Sequence, residues 1–294
     1  MPCYHPIDAY RQEGGGKLIF GSPRGQLEAG QLSLPCGQCI GCRLDRSVDW
    51  VIRIMHERAL HEYAWFVTLT YSDEFVPYGG TLHYRHFQLF MKRLRARCGP
   101  TRFFMCGEYG DTTFRPHYHA ALFGPDFPDK YKWRKSAAGF QLFRSPLLES
   151  LWDLGSSEIG NLSFESAAYV ARYCMKKITG DGADAHYEQL VPDTGEVVRR
   201  DSEFAKMSLR PGIGALWFDK FFREVLVHDG VYLGAVKLPV PRYYVDRLPE
   251  EDRVDLLYKR YLRSTGSVDG SYDRLRVREI VTRARLSFKS RSLE

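Results

Sequence analysis

Hydrophobic and polar residues alternate with a period of two in several short segments of the chain, which is the pattern of β-strands. The clearest is 64–71, AWFVTLTY, whose alternate side chains are expected on opposite faces of a sheet. Segments 101–109 and 117–124 are also predicted strands and are joined by a polar turn. A shorter strand is predicted at 158–163, and a strand-like pair within 231–245.

Segments with apolar residues at helical spacing alternate with these strands. The predicted helices cover 43–62, 83–98, 145–153, 164–178, 249–264 and 271–290. Gly99 and Pro100 end the second of them, because both residues disfavour a continuing helix. The order β-α-β-β-α in the first half predicts an α+β fold, in which a central antiparallel sheet is flanked by helices.

Three parts of the chain differ in composition. Residues 1–45 are rich in glycine, proline and glutamine, and they are interpreted as an irregular, cysteine-rich arm. Residues 46–218 hold most of the predicted sheet, and 219–294 form a mostly helical C-terminal extension. The end of this extension is basic, because residues 271–294 include seven basic and only three acidic side chains.

Composition and charge argue against several classes of protein. The chain has 294 residues and a net charge of +6, which allows a nucleic-acid partner without requiring one. No apolar run is long enough for a membrane span, and the N-terminus lacks the apolar segment of a secretion signal. Seven cysteines without such a signal favour reduced thiols or a metal site. A phosphate-binding G-x-x-x-x-G-K-[ST] loop is missing, which argues against a nucleotide-driven motor.

Two histidines in the predicted strand 117–124 suggest a metal site. His117 and His119 project from one face, and two imidazoles at that spacing can bind one divalent cation. Glu108 in the preceding strand is the expected third ligand, and Asp111 in the connecting turn is the alternative. The competing interpretation is a pair of partly exposed histidines beside a hairpin. The histidines of the predicted helices are interpreted as surface residues: His56, His61, His83 and His86.

The predicted helix 164–178 carries two tyrosines, Tyr169 and Tyr173, one helical turn apart. A helical projection places them opposite an apolar stripe that is expected to be buried, formed by Ala167, Val170, Ala171, Cys174 and Ile178. Lys176 and Lys177 follow, and nearby cations favour an ionised phenol. Two hydroxyls at this spacing can act in turn on one phosphodiester, so the pattern indicates a nucleic-acid strand transferase. The alternatives are core packing of the tyrosines and a DNA-binding module that uses them to stack bases.

The N-terminal arm ends in a run of closely spaced cysteines, Cys36, Cys39 and Cys42. With Cys3 as a fourth thiolate they would form a structural zinc site that holds the arm in place. The usual second C-x2-C pair is missing, and Cys3 must fold back over about thirty residues. Zinc and reduced, metal-free thiols therefore both remain open.

Segments Phe66-Val67-Thr68-Leu69-Thr70, His117-Tyr118-His119 and Tyr169-x3-Tyr173 with Lys176-Lys177 resemble the rolling-circle replication initiators of the HUH endonuclease superfamily. The sequence is more closely similar to initiators of small circular single-stranded DNA phages, the gokushovirus group of microviruses. That closer likeness rests on PCGQCIGCR, FVTLTY, GEYGDTTFRPHYHAALFG, YVARYCMKK and MSLRPGIGALWF, which lie within residues 35–218. The resemblance implies an HUH, ferredoxin-like nuclease fold for 46–218.

The resemblance also implies a chemistry. Mg²⁺ or Mn²⁺ would be held by His117, His119 and Glu108, and Tyr169 and Tyr173 would be the paired nucleophiles. One tyrosine would cut the replication origin of a circular genome, leaving a 5′-phosphotyrosine bond and a 3′-OH that primes synthesis. The second would allow the displaced single strand to be rejoined. The implied setting is the cytoplasm of a bacterial host, whose helicase and DNA polymerase would complete replication.

A two-histidine, one-carboxylate set also occurs in non-haem iron oxygenases. That interpretation leaves the tyrosine helix without a role, and it requires more strands than the sequence predicts. The sequence does not indicate an oligomeric state.

Overall fold

The computed structural model describes residues 3–10, 17–20, 31–110, 113–173, 183–191, 194–264 and 270–287. Its strands are β1 (Ile7–Tyr10), β2 (Ile19–Phe20), β3 (Gln31–Leu34), β4 (Ala64–Tyr71), β5 (Arg102–Tyr109), β6 (Pro116–Phe123), β7 (Tyr131–Lys135), β8 (Gln141–Arg144), β9 (Gly155–Asn161), β10 (Glu188–Leu190), β11 (Val197–Arg199), β12 (Phe204–Met207), β13 (Val231–Leu233) and β14 (Val236–Leu238). Its helices are α1 (Ile40–Arg58), α2 (Tyr84–Cys98), α3 (Pro146–Leu151), α4 (Phe164–Tyr173), α5 (Ala183–Tyr187), α6 (Ala215–His228), α7 (Arg242–Val245), α8 (Glu250–Ser264) and α9 (Tyr272–Ser287). None of these helices has the length and apolar character needed to cross a membrane.

A seven-stranded sheet organises the larger of two compact units, Ser47–Lys259. Its strand order is β12-β5-β6-β4-β9-β8-β7, and every neighbouring pair is antiparallel. Helices pack on both faces of this sheet. The predicted α+β fold with a central antiparallel sheet flanked by helices is therefore confirmed.

Alternation in β4 separates the two faces of the sheet. Val67 and Leu69 are fully buried on one face, in a core that includes Phe87 and Phe90 of α2. Phe66 lies on the opposite face, where α1 and α4 form a second core against β5 and β6. Burial of each large apolar side chain contributes about 1.5–3 kcal/mol, so both cores hold the sheet rigid. The face predicted to carry Phe66, Thr68 and Thr70 lines a cavity, described below.

A third core lies around α6, α7 and the β13–β14 hairpin, and it contains Phe218, Val231 and Tyr244. His56 of α1 is buried beside it, with its Nδ1 atom 3.0 Å from the Tyr244 hydroxyl. Burial lowers the pKa of His56 to about 3, so this imidazole is neutral. The interpretation of His56 as a surface residue is therefore wrong, because the third core covers this side of α1.

The smaller unit combines Met1–Arg46 with Arg260–Arg291. The N-terminal arm is not wholly irregular, because β1, β2 and β3 form an antiparallel sheet with the order β2-β1-β3. Helix α9 is tied to the arm by two side-chain contacts. The Tyr4 hydroxyl lies 2.8 Å from Thr282 Oγ1, and His5 Nε2 lies 2.6 Å from Glu279 Oε2. The predicted domain boundaries at 45/46 and 218/219 stay predictions.

Candidate active site

Strand register brings the three predicted metal ligands together on one face of the sheet. Glu108 of β5 lies directly opposite His117 of β6, and Thr68 of β4 lies opposite His119. Side chains of directly opposed residues are about 5 Å apart at their Cβ atoms. The hairpin between β5 and β6 therefore assembles Glu108, His117 and His119 without any contribution from a distant loop.

The side chains converge at their tips. Glu108 Oε1 lies 2.8 Å from His117 Nε2 and 2.8 Å from His119 Nε2. The opposite ring nitrogens are also occupied: His117 Nδ1 is 3.0 Å from the Arg115 carbonyl oxygen, and His119 Nδ1 is 3.0 Å from Thr68 Oγ1. Such contacts to the far nitrogen fix the ring orientation of metal-binding histidines, so both Nε2 atoms are directed at one point.

This donor set fits a divalent cation. Adjacent ligands of an octahedral ion with bonds of about 2.1 Å lie about 3.0 Å apart. One nitrogen or oxygen from each of Glu108, His117 and His119 lies within 4.8 Å of the others, and the two contacts to Glu108 are close to that spacing. The three residues could therefore hold a metal ion, with further positions open to other ligands.

The electrostatics of the cluster also suit a cation. All three side chains are buried, so the interpretation as partly exposed histidines is wrong. Burial alone would raise the pKa of Glu108, but the charge of His119 and hydrogen bonds from His117 and His119 outweigh it and lower the pKa to about 2. Glu108 is thus a carboxylate at neutral pH.

Tyr169 on α4 faces the cluster of Glu108, His117 and His119. Its ring centroid is 5.1 Å from that of His119 and 6.0 Å from that of Phe66, and both contacts are edge to face. The expectation that this face of the helix points away from the core is wrong, since Tyr169 is only 3% exposed. The reason is that α4 packs on the site face of the sheet, so Tyr169 is covered as well as Ala167, Val170 and Ala171.

Several predicted site residues cannot be placed in this geometry. Tyr173 is the last residue of α4, but its side chain is outside the described part of the chain. Lys176, Lys177 and the alternative ligand Asp111 also lie outside the described residues. The structure therefore brings together Glu108, His117, His119 and Tyr169, and only these four of the predicted residues of this site.

A cavity of about 280 Å³ opens in front of the cluster. Its wall includes two cations that the sequence analysis did not single out, Arg115 and Arg134. Arg134 of β7 forms a two-point ion pair with Glu158 of β9, with N–O distances of 2.7 and 2.9 Å. Thr68, which holds His119, was also missed, because its role follows from the pairing of β4 with β6 rather than from a local motif.

The four cysteines of the smaller unit form a second cluster. The Sγ atoms of Cys3, Cys36, Cys39 and Cys42 all lie within 4.8 Å of one another, and none of these residues is in a disulfide. The Sγ atoms of Cys3 and Cys39 are 3.8 Å apart. A tetrahedral ion with metal–sulfur bonds of about 2.3 Å separates its ligands by about 3.8 Å, so the cluster fits such an ion.

Backbone amides support negative charge on these sulfurs. The amide of Tyr4 donates to Cys39 Sγ at 3.3 Å, and the amide of Cys36 donates to Cys3 Sγ at 3.2 Å. Burial raises the pKa of the Cys39 thiol, but amide donors and the neighbouring thiols outweigh it and lower the pKa to about 6. Burial and the neighbouring sulfurs raise the pKa of Cys42. Binding of a metal by the cluster would require thiolates, and the bound cation would neutralise their charge.

Comparison with known proteins identifies the family of the chain. Residues 64–178 match the family described as replication-associated protein ORF2/G2P. The chain is 31% identical over 256 residues to replication-associated protein VP4 of Bdellovibrio phage phiMH2K, over 84% of this chain and 76% of that one. It is 31% identical over 286 residues to replication-associated protein ORF2 of Spiroplasma virus 4, over 90% of this chain and 85% of that one. No solved structure matches the chain.

These likenesses define a viral protein of DNA replication, a class whose members generally process nucleic acid. The chain belongs to the family of phage replication-associated proteins and is a replication initiator of the microvirus type. A third relative, replication-associated protein ORF4 of Chlamydia phage 1, is 28% identical over 81% of this chain and 60% of that one. Phage replication proteins of this kind act in the host cell and interact with DNA.

Proposed function

We propose that this initiator nicks and rejoins single-stranded DNA at the replication origin of a circular phage genome, by transesterification onto tyrosine. The observation that carries the proposal is the position of Tyr169. Its ring lies edge-on to His119, one of two histidines whose Nε2 atoms converge on Glu108. The proposed nucleophile and both histidines of the candidate cation site thus line one cavity.

The proposed roles follow from the geometry. Glu108, His117 and His119 hold Mg²⁺ or Mn²⁺, which when bound polarises the scissile phosphate and stabilises the leaving oxygen. Thr68 and the Arg115 carbonyl keep the two imidazoles in the orientation that this binding requires. Arg134 in the cavity wall adds a guanidinium, whose planar donors suit a phosphate group.

The chemistry is an exchange of one phosphodiester for another. The phenolic oxygen of Tyr169 or Tyr173 loses its proton and bonds to phosphorus, while the bond from phosphorus to the 3′-oxygen breaks. The 3′-oxygen takes up a proton, leaving a free 3′-OH as primer and a 5′-phosphotyrosine bond. Since the bond energy is retained, a later attack by a 3′-OH on the phosphotyrosine rejoins the strand. Lys176 and Lys177 are proposed to favour the ionised phenol.

The remaining partners follow from the same proposal. Strand separation requires a helicase, and synthesis from the new 3′-OH requires a DNA polymerase. Both are proposed to come from the bacterial host, in whose cytoplasm the protein would act.

The proposed reaction predicts a covalent protein–DNA adduct. Incubation with an origin-containing single-stranded oligonucleotide and Mn²⁺ is expected to give a species that survives boiling in detergent. The same oligonucleotide labelled at its 5′ end should release a labelled product with a free 3′-OH, because the protein is retained on the other fragment. A label that instead stays with the protein would contradict the polarity of the reaction. No adduct on any strand of the genome would refute the proposal.

We also infer that the cysteine cluster binds structural zinc, because four cysteine sulfurs within 4.8 Å of one another are a ligand set characteristic of that ion. Elemental analysis of the purified protein should therefore find about one zinc per chain. Cys39→Ser should lose this zinc and expose α9 to proteolysis, since Cys39 shares a small core with Tyr4 and Leu275. Cys98→Ser, which removes a thiol at the end of α2, is the matched control and should keep the metal. Wild-type protein with four reduced thiols and no zinc would exclude the site.

A further inference from the structure

The β7–β8 hairpin forms an exposed edge of the large sheet and is rich in basic and aromatic residues. Residues 130–144 contain five basic side chains and no acidic one. All five residues of β7, Tyr131–Lys135, are exposed. Trp133 is 52% exposed, and Tyr131 and Phe140 are exposed as well. A surface that combines cations with exposed aromatic rings fits single-stranded nucleic acid, whose phosphates and bases need those two kinds of contact.

Two of these basic side chains lack an ion-pair partner within the described part of the chain. Arg134 and Arg144 are paired with Glu158 and Glu149, whereas Lys132 and Lys135 form no ion pair with any described residue. A bulge at Trp133 shifts the register of β7 against β8, which turns this part of the strand away from regular pairing. The hairpin thus presents two lysines without an ion-pair partner among the described residues. It also presents the half-exposed indole of Trp133, whose ring centroid lies 5.0 Å from the Arg144 guanidinium.

The hairpin is continuous with the candidate active site. The face that carries His117 and His119 extends across β4, β9 and β8 to β7, in the order of the sheet. Thr68, Glu158, Leu142 and Arg134, one from each of these strands, line the same cavity as the histidines. Four strand spacings of about 4.8 Å make this path about 19 Å long, enough for a few nucleotides of an extended strand. Pairing with Phe143 and Gln141 places Lys132 and Lys135 on the other face of β7 from Arg134, so a DNA strand that follows this path meets them where it passes around the edge of the sheet.

We infer that the β7–β8 hairpin binds the DNA strand on one side of the scissile phosphate, with Lys132 and Lys135 contacting phosphates and Trp133 stacking on a base. This inference rests on the proposed function, in that the cavity is taken to hold the phosphate that is cut. It assigns the hairpin a role in binding the DNA and in setting the position of the strand in the site, and no role in the chemical step. The alternative is that the lysines only keep an exposed edge strand from pairing with another chain.

Salt dependence of binding separates these two roles. Two proteins are titrated with a fluorescent single-stranded origin oligonucleotide at several salt concentrations, one with the unchanged hairpin and one with Lys132→Gln/Lys135→Gln. Both carry Tyr169→Phe/Tyr173→Phe so that no chemistry occurs. Each phosphate contact contributes about 0.7 to the slope of log K against log salt for single strands. The double glutamine variant should therefore have a slope smaller by about 1.4, and Lys132→Arg/Lys135→Arg should keep the wild-type slope.

The matched control changes the same charge elsewhere. Lys92 and Arg97 are exposed on α2, which packs on the face of the sheet opposite His117 and His119. Lys92→Gln/Arg97→Gln should leave the slope unchanged, whereas Trp133→Ala should weaken binding about tenfold or more with an unchanged slope. The hairpin substitutions lie at exposed positions, so melting temperatures should equal that of the parent protein.

The outcomes distinguish the hairpin from the proposed reaction. If wild-type protein forms the covalent adduct but the hairpin variants bind with an unchanged slope and affinity, the inference about the hairpin is wrong and the reaction stands. If no adduct forms with any strand, the proposed function fails, whatever the hairpin binds. Tighter binding of RNA of the same sequence, or of duplex DNA, would overturn the assignment of single-stranded DNA to this surface.

Discussion

His117→Gln and His119→Gln are each expected to lower the rate of single-strand cleavage by about 10³-fold or more, since a bound cation contributes several kcal/mol to such reactions. Glutamine is preferred to alanine because Glu108 is a buried carboxylate that accepts contacts from both imidazoles. Removing a ring outright would leave that charge underpaired and cost about 3–5 kcal/mol of folding stability. A glutamine amide can still donate to Glu108, so the fold is expected to survive.

Metal binding provides the second readout. Titration of the protein with Mn²⁺, followed by the electron paramagnetic resonance signal of the free ion, should show one site in wild-type protein and weak or no binding in either histidine variant. His228→Gln, at the exposed end of α6, is the control and should change neither binding nor cleavage. Full cleavage in excess EDTA would exclude a metal from the reaction. Glu108→Gln should have a smaller effect than either histidine variant if Asp111 or water takes its place.

Much of the candidate site can be predicted from the sequence because its geometry is local. Two histidines at i and i+2 in a strand share a face whatever the rest of the fold does. Glu108 is nine residues away across a single hairpin, so its approach to His117 follows once β5 and β6 pair. The grouping of these three residues is observed as predicted.

Contacts that depend on non-local pairing cannot be predicted in the same way. Thr68 reaches His119 only because β4 pairs with β6, and Arg134 reaches the cavity only because β7 ends the sheet. The β7 strand is also hidden from pattern analysis, since all of its side chains are exposed and no apolar alternation marks it. A strand that is exposed on both faces has charged side chains at positions where the pattern of a half-buried strand would have apolar ones.

The burial of Tyr169 and of His56 has a related cause. A helical projection identifies one apolar stripe but does not show how many neighbours a helix has. Helix α4 lies on the site face of the sheet, so its tyrosine face meets Phe66 and His119. Helix α1 meets Tyr244 and Trp217 from the C-terminal half of the larger unit, and these rings enclose His56. Polar and aromatic residues outside the apolar stripe become buried when a second element of the fold packs on the helix.

The two tyrosines provide the decisive test of the proposed reaction. Tyr169→Phe and Tyr173→Phe should each retain some covalent adduct in a single cleavage step, and the double variant should retain none. Two positions four residues apart lie one above the other on a helix, so either hydroxyl is expected to reach the same phosphate. Phenylalanine keeps the ring, so the edge contacts of position 169 with Phe66 and His119 should survive. Tyr232→Phe, at an exposed position of β13, is the matched control and should behave as wild type.

Joining of the displaced strand should be far more sensitive than cutting, because it requires a new cut and a reseal in succession. Each single variant is therefore expected to form adduct yet yield little or no circular product, while equal losses in both assays would argue against alternating nucleophiles.

Peptide mapping of the adduct identifies the attacking residue directly. A DNA-linked peptide outside 169–173, or adduct formation by the double phenylalanine variant, would show that the nucleophile lies elsewhere. Since Tyr169 is buried against His119, a proposed metal ligand, the DNA must reach it through the cavity. An adduct at Tyr173 alone would mean that Tyr169 only packs against His119.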